Sequence, residues 1–283
     1  DAAPDTEIVS SLDEMLDLDL DGVMIATPSA MHAEQSIRAL SAGKAVFCQK
    51  PLARDAAETA RVVSAAKEVD RLVGVDFSYR YTEAMQQIRA LVEAGELGRV
   101  YAADLVFHNA YGPDKDWFYD VERAGGGCLI DLGIHLVDLA LWMLDWPEIE
   151  GVHGCCMAGG DRLDVEHPEV EDYASATIDL GKAGVVDLAC SWRVSAGRDA
   201  VIDAAFYGTE GGARMRNVDG SFYDFVAERY DGTSTEVLCE PPDAWGGRAA
   251  IAWAQKLGED GGYDASVEKV VDVARVVDRI YCR

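Results

Sequence analysis

The chain reads as an α/β protein in two parts: a parallel sheet built from alternating strands and helices, then a region dominated by a mixed, mostly antiparallel sheet. Three observations predict this. Up to about residue 97, short apolar runs alternate with stretches of helical period. From Ile149 to about Cys239, strand-like runs follow one another, separated only by Gly and Asp turns. Finally, 283 residues at 49% hydrophobic and 27% charged suffice for two modest packed domains, here 1–97 and 98–283.

Taken in order, Asp21–Thr27 (DGVMIAT) is a buried-strand run stopped by Pro28. Met31–Ala42 has helical spacing, closed by Gly43 in the manner of a C-cap. Ala45–Cys48 is a second strand ended at Lys50-Pro51, Ala56–Val69 a long helix, and Leu72–Phe77 (LVGVDF) a third strand. A helix near Glu83–Ala94 stops at Gly95. This rhythm implies right-handed crossovers and parallel pairing. Past Arg99, Val100–His108 is a strand, followed by an aromatic and acidic loop (YGPDKDWFYD) and a helix of about Leu129–Leu144. Ala174–Leu180, Gly184–Trp192, Val201–Tyr207, Ala213–Arg216 and Tyr223–Tyr230 are strand candidates of an antiparallel sheet. A last helix, Ala265–Tyr281, sets Val267, Val270, Val271, Ala274, Val277 and Ile280 on one face and packs back on the body.

The formal net charge is −26, with 51 acidic against 25 basic residues spread along the whole chain. Such a surface repels phosphate backbones, and no Lys/Arg run offsets it, so a nucleic-acid partner is not expected. Asp outnumbers Glu by 31 to 20, and Lys is scarce at 7 against 18 Arg. A dispersed, Asp-rich, Lys-poor surface stays hydrated in concentrated salt and points to a halophile's cytosolic protein; an ordinary acidic enzyme is the alternative. Seven cysteines without a C-x-x-C pair fit reduced, intracellular thiols. No run approaches the ~18 apolar residues of a membrane span, so no membrane partner is expected; with the reduced thiols, a cytoplasmic location is the expectation.

Three constellations could carry chemistry. Lys50 stands where a strand ends at a proline, and ligands of open parallel sheets bind at the carboxyl ends of strands. There it could donate to a substrate hydroxyl; a solvated lysine is the plain alternative. Asp131 and His135, in GGGCLIDLGIHLVDLALW, share one face of a helix start at i,i+4 spacing. Ionisable groups among such apolar neighbours need a partner or a cleft. His135 could take a proton from an alcohol while Asp131 orients it; a core histidine and a dipole-facing aspartate would read the same way. Thr27-Pro28-Ser29, with His32 one turn on, lies where an α/β sheet meets a dinucleotide, though N-cap chemistry explains it equally. No H-E-x-x-H or similar ligand set occurs, so no metal is expected. Gly208 to Gly212 reads as a turn between strands, and no G-x-G-x-x-G occurs in the chain.

Together these motifs resemble the glucose-fructose oxidoreductase / inositol dehydrogenase / rhizopine-catabolism family. DGVMIATPSAMHAEQSIRALSAGKAVFCQKPLA is similar to that family's strand, TP, histidine-bearing helix and E-K-P segment, and VGVDFSYRY to its next strand. GGGCLIDLGIHLVDLALW resembles its G-G-G-x-x-x-D-x-G-x-H motif, and YGTEGGARM a turn of its second sheet. The resemblance implies a partial Rossmann-type sheet, followed by a domain with a large open-faced sheet. It implies NAD or NADP, and hydride exchange with the hydroxyl of a sugar, polyol or cyclitol. Carried over, Lys50, Asp131 and His135 are the catalytic set, with Thr27, Pro28, His32, Gln49 and Lys50 lining the cofactor cleft. Trp117 would join Lys50, Asp131 and His135 around the substrate.

Two departures stand out. Gln49 replaces the family's usual Glu, keeping a hydrogen bond but losing a charge beside Lys50. The family also opens with about two βα units bearing the phosphate-gripping turn, and Asp1 begins after them, so an upstream truncation is expected. A non-catalytic sugar-sensing protein that has shed its cofactor grip is the alternative reading, and hydrolysis or elimination through transient oxidation a third. The open sheet face is expected to join copies into a homo-oligomer, because a one-sided sheet would otherwise leave an apolar surface.

Overall fold

The computed structural model describes residues 6–164 and 169–283. Asp1, on which the expectation of an upstream segment turns, lies outside them. After a short helix α1 (Leu12–Leu16), three parallel strands alternate with helices: β1 (Gly22–Ile25), α2 (Ser29–Ser41), β2 (Ala45–Cys48), α3 (Ala56–Val69) and β3 (Val73–Val75). Their order is β1-β2-β3, so the AVFC run of β2 is central and buried along its whole length. Capping explains the helix limits. The Asp55 carboxylate accepts the Glu58 N–H at the start of α3, and Asp70 ends it in the left-handed region at φ 52°. Thr82 caps α4 (Glu83–Glu93) by accepting the Met85 N–H.

The second part begins with β4 (Val100–Asn109), α5 (Val121–Ala124) and α6 (Ile134–Met143). It continues through β5 (Gly151–Ala158), β6 (Asp161–Arg162), β7 (Tyr173–Asp179), β8 (Val185–Ser191), β9 (Ala200–Gly208), β10 (Gly212–Asn217), β11 (Phe225–Asp231) and β12 (Ser234–Cys239). These strands form one sheet ordered β12-β11-β10-β9-β4-β8-β7-β5-β6, antiparallel except for the β4/β8 pair. The apolar α6, buried at nearly every position, covers one face. The segment Val121–Met143 is long and apolar enough to cross a membrane by length and composition, yet nearly all of it is buried inside the protein.

The uncovered face is less apolar than the sequence reading expects. Alternate positions there carry charges rather than a continuous apolar surface: Arg214 pairs with Asp203, Arg216 with Glu228, and Thr177 with Asp187. Strand alternation placed the larger apolar set toward α6 and left the other side mixed, with these pairs beside the partly buried Ala102, Val106, Ala189 and Val201.

Other differences are local. The third strand is shorter than Leu72–Phe77, because the Phe77 N–H turns back to the Val75 carbonyl and Ser78–Tyr81 forms a 3-10 turn. The helix expected from Leu129 starts as a π-helical turn, Leu129–Gly133, before α6. A helix without a sequence expectation, α7 (Arg248–Asp260), precedes α8 (Glu268–Ile280). All six residues named for the last helix's apolar face are buried, and α8 packs on α3, α6 and β5.

Helix α7 hid because only Ala249 of its residues is buried. Its anchor is a single indole. Trp253 lies across the parallel sheet beside Phe47, in space left by Gly22 and Gly74. A Cβ on Gly22 would come within 2.8 Å of that ring, and one on Gly74 within 2.7 Å. Trp253→Ala is expected to lower stability by about 3 kcal/mol in urea unfolding, the scale of a large-to-small aromatic truncation. Gly74→Val should destabilise for the opposite reason, by overfilling the notch. Unchanged midpoints for both would show that the indole does not hold the sheet.

Candidate functional site

The carboxyl ends of β1 and β2 sit side by side, and His32 ties them together. Its Nδ1 lies 2.6 Å from the Pro51 carbonyl oxygen and its Nε2 2.6 Å from that of Thr27. Carbonyls only accept, so a neutral ring can donate to one of the two at a time. Burial, the larger effect, pushes the His32 pKa below the usual range, while the two carbonyls and their hydrogen bonds act in the other direction. Thr27 donates its hydroxyl to Gln35 at 2.6 Å, and Pro28 is the N-cap of α2.

From the end of β2, Lys50 precedes a cis proline and reaches across to Asp131. Its ammonium donates to the Asp131 carboxylate at 2.7 Å and to the Asp131 carbonyl at 2.5 Å. The other carboxylate oxygen accepts the Trp192 indole N–H at 3.1 Å. Asp131 is thus held at both oxygens, with side chains of the pair only 17% and 16% exposed. Gln49 donates its amide to Asp76 at 2.5 Å, so a carboxylate stands next to the amide after all. Burial pushes the Asp76 carboxyl up, against the opposing pull of Gln49 and Lys50.

The turn that presents Asp131 is clamped from behind. The buried Glu171 carboxylate accepts the N–H groups of Gly127 and Leu129 and the Tyr281 hydroxyl, at 2.9, 2.8 and 2.8 Å. Only glycine fits here. A Cβ on Gly127 would sit 2.0 Å from the Glu171 carbonyl oxygen, and one on Gly126 would sit 2.1 Å from the Tyr281 hydroxyl.

A cavity of about 150 Å³ opens between these elements, lined by Thr27, His32, Gln49, Lys50, Trp117 and Asp131 among others. Six of the eight expected site residues therefore meet in one place. Pro28 and His135 are not on its wall. His135 is 6% exposed, its ring edge-on to Tyr79 at 4.9 Å and to Phe77 at 6.3 Å, and its Nδ1 is buried without a hydrogen-bond partner. Burial, with Lys50 nearby, holds its pKa well below the imidazole norm, so it is neutral at pH 7. Trp192, Asp76 and Glu171 belong to the site and went unnamed from sequence. Trp192 and Glu171 each close a strand candidate's flank, where a lone polar or aromatic residue gives no periodic signal.

Residues 2–77 match a model described as an oxidoreductase family with an NAD-binding Rossmann fold, and residues 85–214 match the GFO/IDH/MocA C-terminal domain. The chain belongs to the GFO/IDH/MocA oxidoreductase family. It is 29% identical over 205 residues to D-glucoside 3-dehydrogenase of Escherichia coli, covering 69% of this chain and 58% of that protein. It is 34% identical over 161 residues to 1,5-anhydro-D-fructose reductase of Ensifer adhaerens, covering 56% and 48%. The chain thus spans about half the length of these curated relatives. Its fold superposes on a 3-ketoreductase from Actinomadura kijaniata, solved with NADP and TDP-benzene, at TM-score 0.79 and 22% identity, covering 97% of this chain and 82% of that one.

The neutral, buried His135 makes stability depend on pH with a definite sign. Its folded pKa is depressed, so below about 6.5 the unfolded chain binds a proton that the fold refuses, and stability falls as pH falls. The stability of His135→Leu relative to the parent chain should therefore rise by about 1.4 kcal/mol per pH unit below 6.5, measured by urea unfolding between pH 7 and 5. A difference flat across that range would contradict a neutral His135.

Proposed function

We propose that this chain works as an NAD(P)-dependent oxidoreductase that exchanges a hydride with a hydroxyl-bearing carbon of a sugar, polyol or cyclitol. One observation carries the reading. An ammonium has three protons; Asp131 takes two from Lys50, and the third is left for the cavity that Lys50 lines. The parallel strand ends around Thr27, Gln49 and Lys50 suit the nicotinamide end of a dinucleotide, which binds at such ends. The Thr27 hydroxyl, its proton given to Gln35, can still accept, and the Gln49 amide keeps a second proton to donate, which suits a carboxamide or a ribose hydroxyl. When bound, the cofactor supplies the hydride acceptor or donor.

The remaining work falls to the chain's own side chains. Lys50 donates to the reacting oxygen and stabilises its developing negative charge in a site with little water. Asp131, fixed by Trp192, keeps that ammonium aimed. His135, neutral at pH 7 and one helical turn from Asp131, lies behind the wall, so it serves as acceptor of the hydroxyl proton only once the Tyr79 and Phe77 rings beside it give way. The relatives named for dehydrogenation or reduction of glucosides and anhydrofructose support this assignment of substrate class. The non-catalytic alternative draws on Gln49, but a sensor has no use for an aimed ammonium.

Assayed for NAD- or NADP-coupled oxidation over a panel of hexoses, pentoses and inositols, Lys50→Ala and His135→Ala should each lower turnover by ~10²–10⁴. A loss below threefold in both would remove these residues from the mechanism. Titration of NADH into the chain separates the readings: sugar binding with no nicotinamide affinity would favour the sensor.

A further inference from the structure

The parallel ladder runs one residue past the ends of its strands. The Gln49 N–H donates to the Ile25 carbonyl at 2.8 Å, and the Asp76 N–H to the Cys48 carbonyl at 2.9 Å. Because β2 and β3 pair Cys48 with Val75, the next residues, Gln49 and Asp76, come out side by side at the carboxyl ends. Open parallel sheets hold their ligands at those ends. The Gln49 side chain lines the cavity, and its amide donates to the Asp76 carboxylate at 2.5 Å. Asp76 therefore backs the wall, one side chain removed from the space.

Charge around this space does not balance. On the cavity wall the charged side chains are Lys50 and Asp131, and they neutralise each other. Burial holds His32 below the usual imidazole range, so it adds no charge at pH 7. Asp76 is the acid left over. Among the described residues its carboxylate forms no ion pair: its hydrogen bond comes from a neutral amide, and the nearby Lys50 is bound to Asp131. The next cations along, Arg80 and Lys256, are bound to Asp138 and Asp264. Burial pushes the Asp76 carboxyl up, the response of an acid short of counter-charge. A partly buried anion without a counter-ion is costly, and a ligand that brings positive charge relieves the cost. The oxidised nicotinamide ring carries such a charge, and hydride uptake cancels it.

We infer that Asp76 is a positioning residue that selects the oxidised form of the cofactor, its uncompensated carboxylate stabilising the ring's positive charge across Gln49. This rests on the nicotinamide reading of the cavity. Compared with a site neutral at this position, the equilibrium on the protein leans toward oxidised cofactor and reduced substrate. The test is calorimetric titration of the chain with NAD⁺ and NADH, with NADP⁺ and NADPH, and with oxidised and reduced nicotinamide mononucleotide, which carries the ring without the adenosine half. For whichever pair binds, Asp76→Asn should lower the preference for the oxidised form by about threefold or more, the scale of one unit charge acting across a side chain. Asn keeps an acceptor for the Gln49 amide, so the strand ends hold their shape. The double variant Gln49→Glu/Asp76→Asn returns the charge with the hydrogen bond reversed, and should restore the parental preference. A smaller change in Asp76→Asn, or a double variant as low as the single one, overturns the proposal and leaves the nicotinamide reading standing. A parent chain that binds neither member of any pair overturns both.

Discussion

The ion pair between Lys50 and Asp131 joins residues 81 apart in sequence, one from the end of a parallel strand and one from the turn before α6. Everything chemical in the molecule is arranged around that contact. Two partly desolvated charges would be costly alone, and their attraction offsets the cost only when the remaining protons and lone pairs are also used. Trp192 uses one carboxylate oxygen, the Asp131 carbonyl uses a second ammonium proton, and the cavity is left with the third. The pair therefore ties the two halves of the chain together at the cavity, and it also sets which donor faces a ligand.

Behind it stands a second buried acid with a different task. Glu171 meets no cation in its immediate hydrogen bonds; it gathers two backbone N–H groups and a tyrosine hydroxyl, which satisfies it in the interior. Burial nevertheless pushes its carboxyl up. Of the three consecutive glycines, Gly127 lets the turn press against the Glu171 backbone and Gly126 against the Tyr281 hydroxyl, while Gly125 faces Arg54.

The sheet types, the strand-end lysine and the Asp131/His135 helix start were legible in sequence, because each rests on a local pattern: apolar runs, proline stops, i,i+4 spacing. What escaped has no local pattern. Asp76 enters the site only because β3 ends beside β2, and Trp192 only because β8 pairs with β4. Helix α7 carries too few buried residues to announce itself. The position of His135 behind the wall, not on it, depends on how Tyr79 and Phe77 pack, which spacing along one helix cannot show. The open sheet face came out a mixture of ion pairs and small apolar residues, because alternation decides which side is the more apolar and says little about what fills the other.

The indole of Trp253 also has a meaning in time. It closes a notch beside Phe47, a residue synthesised about 200 positions earlier, so at ~5–20 residues per second the gap stays unfilled for roughly 10–40 s on the ribosome. During that interval the parallel sheet has a bare patch at Gly22 and Gly74, and the half that bears Lys50 waits on the far end of the chain for its last wall. The two parts have separate sheets but a shared completion step, and an amputated first part would keep its strands while missing the side chain that covers them.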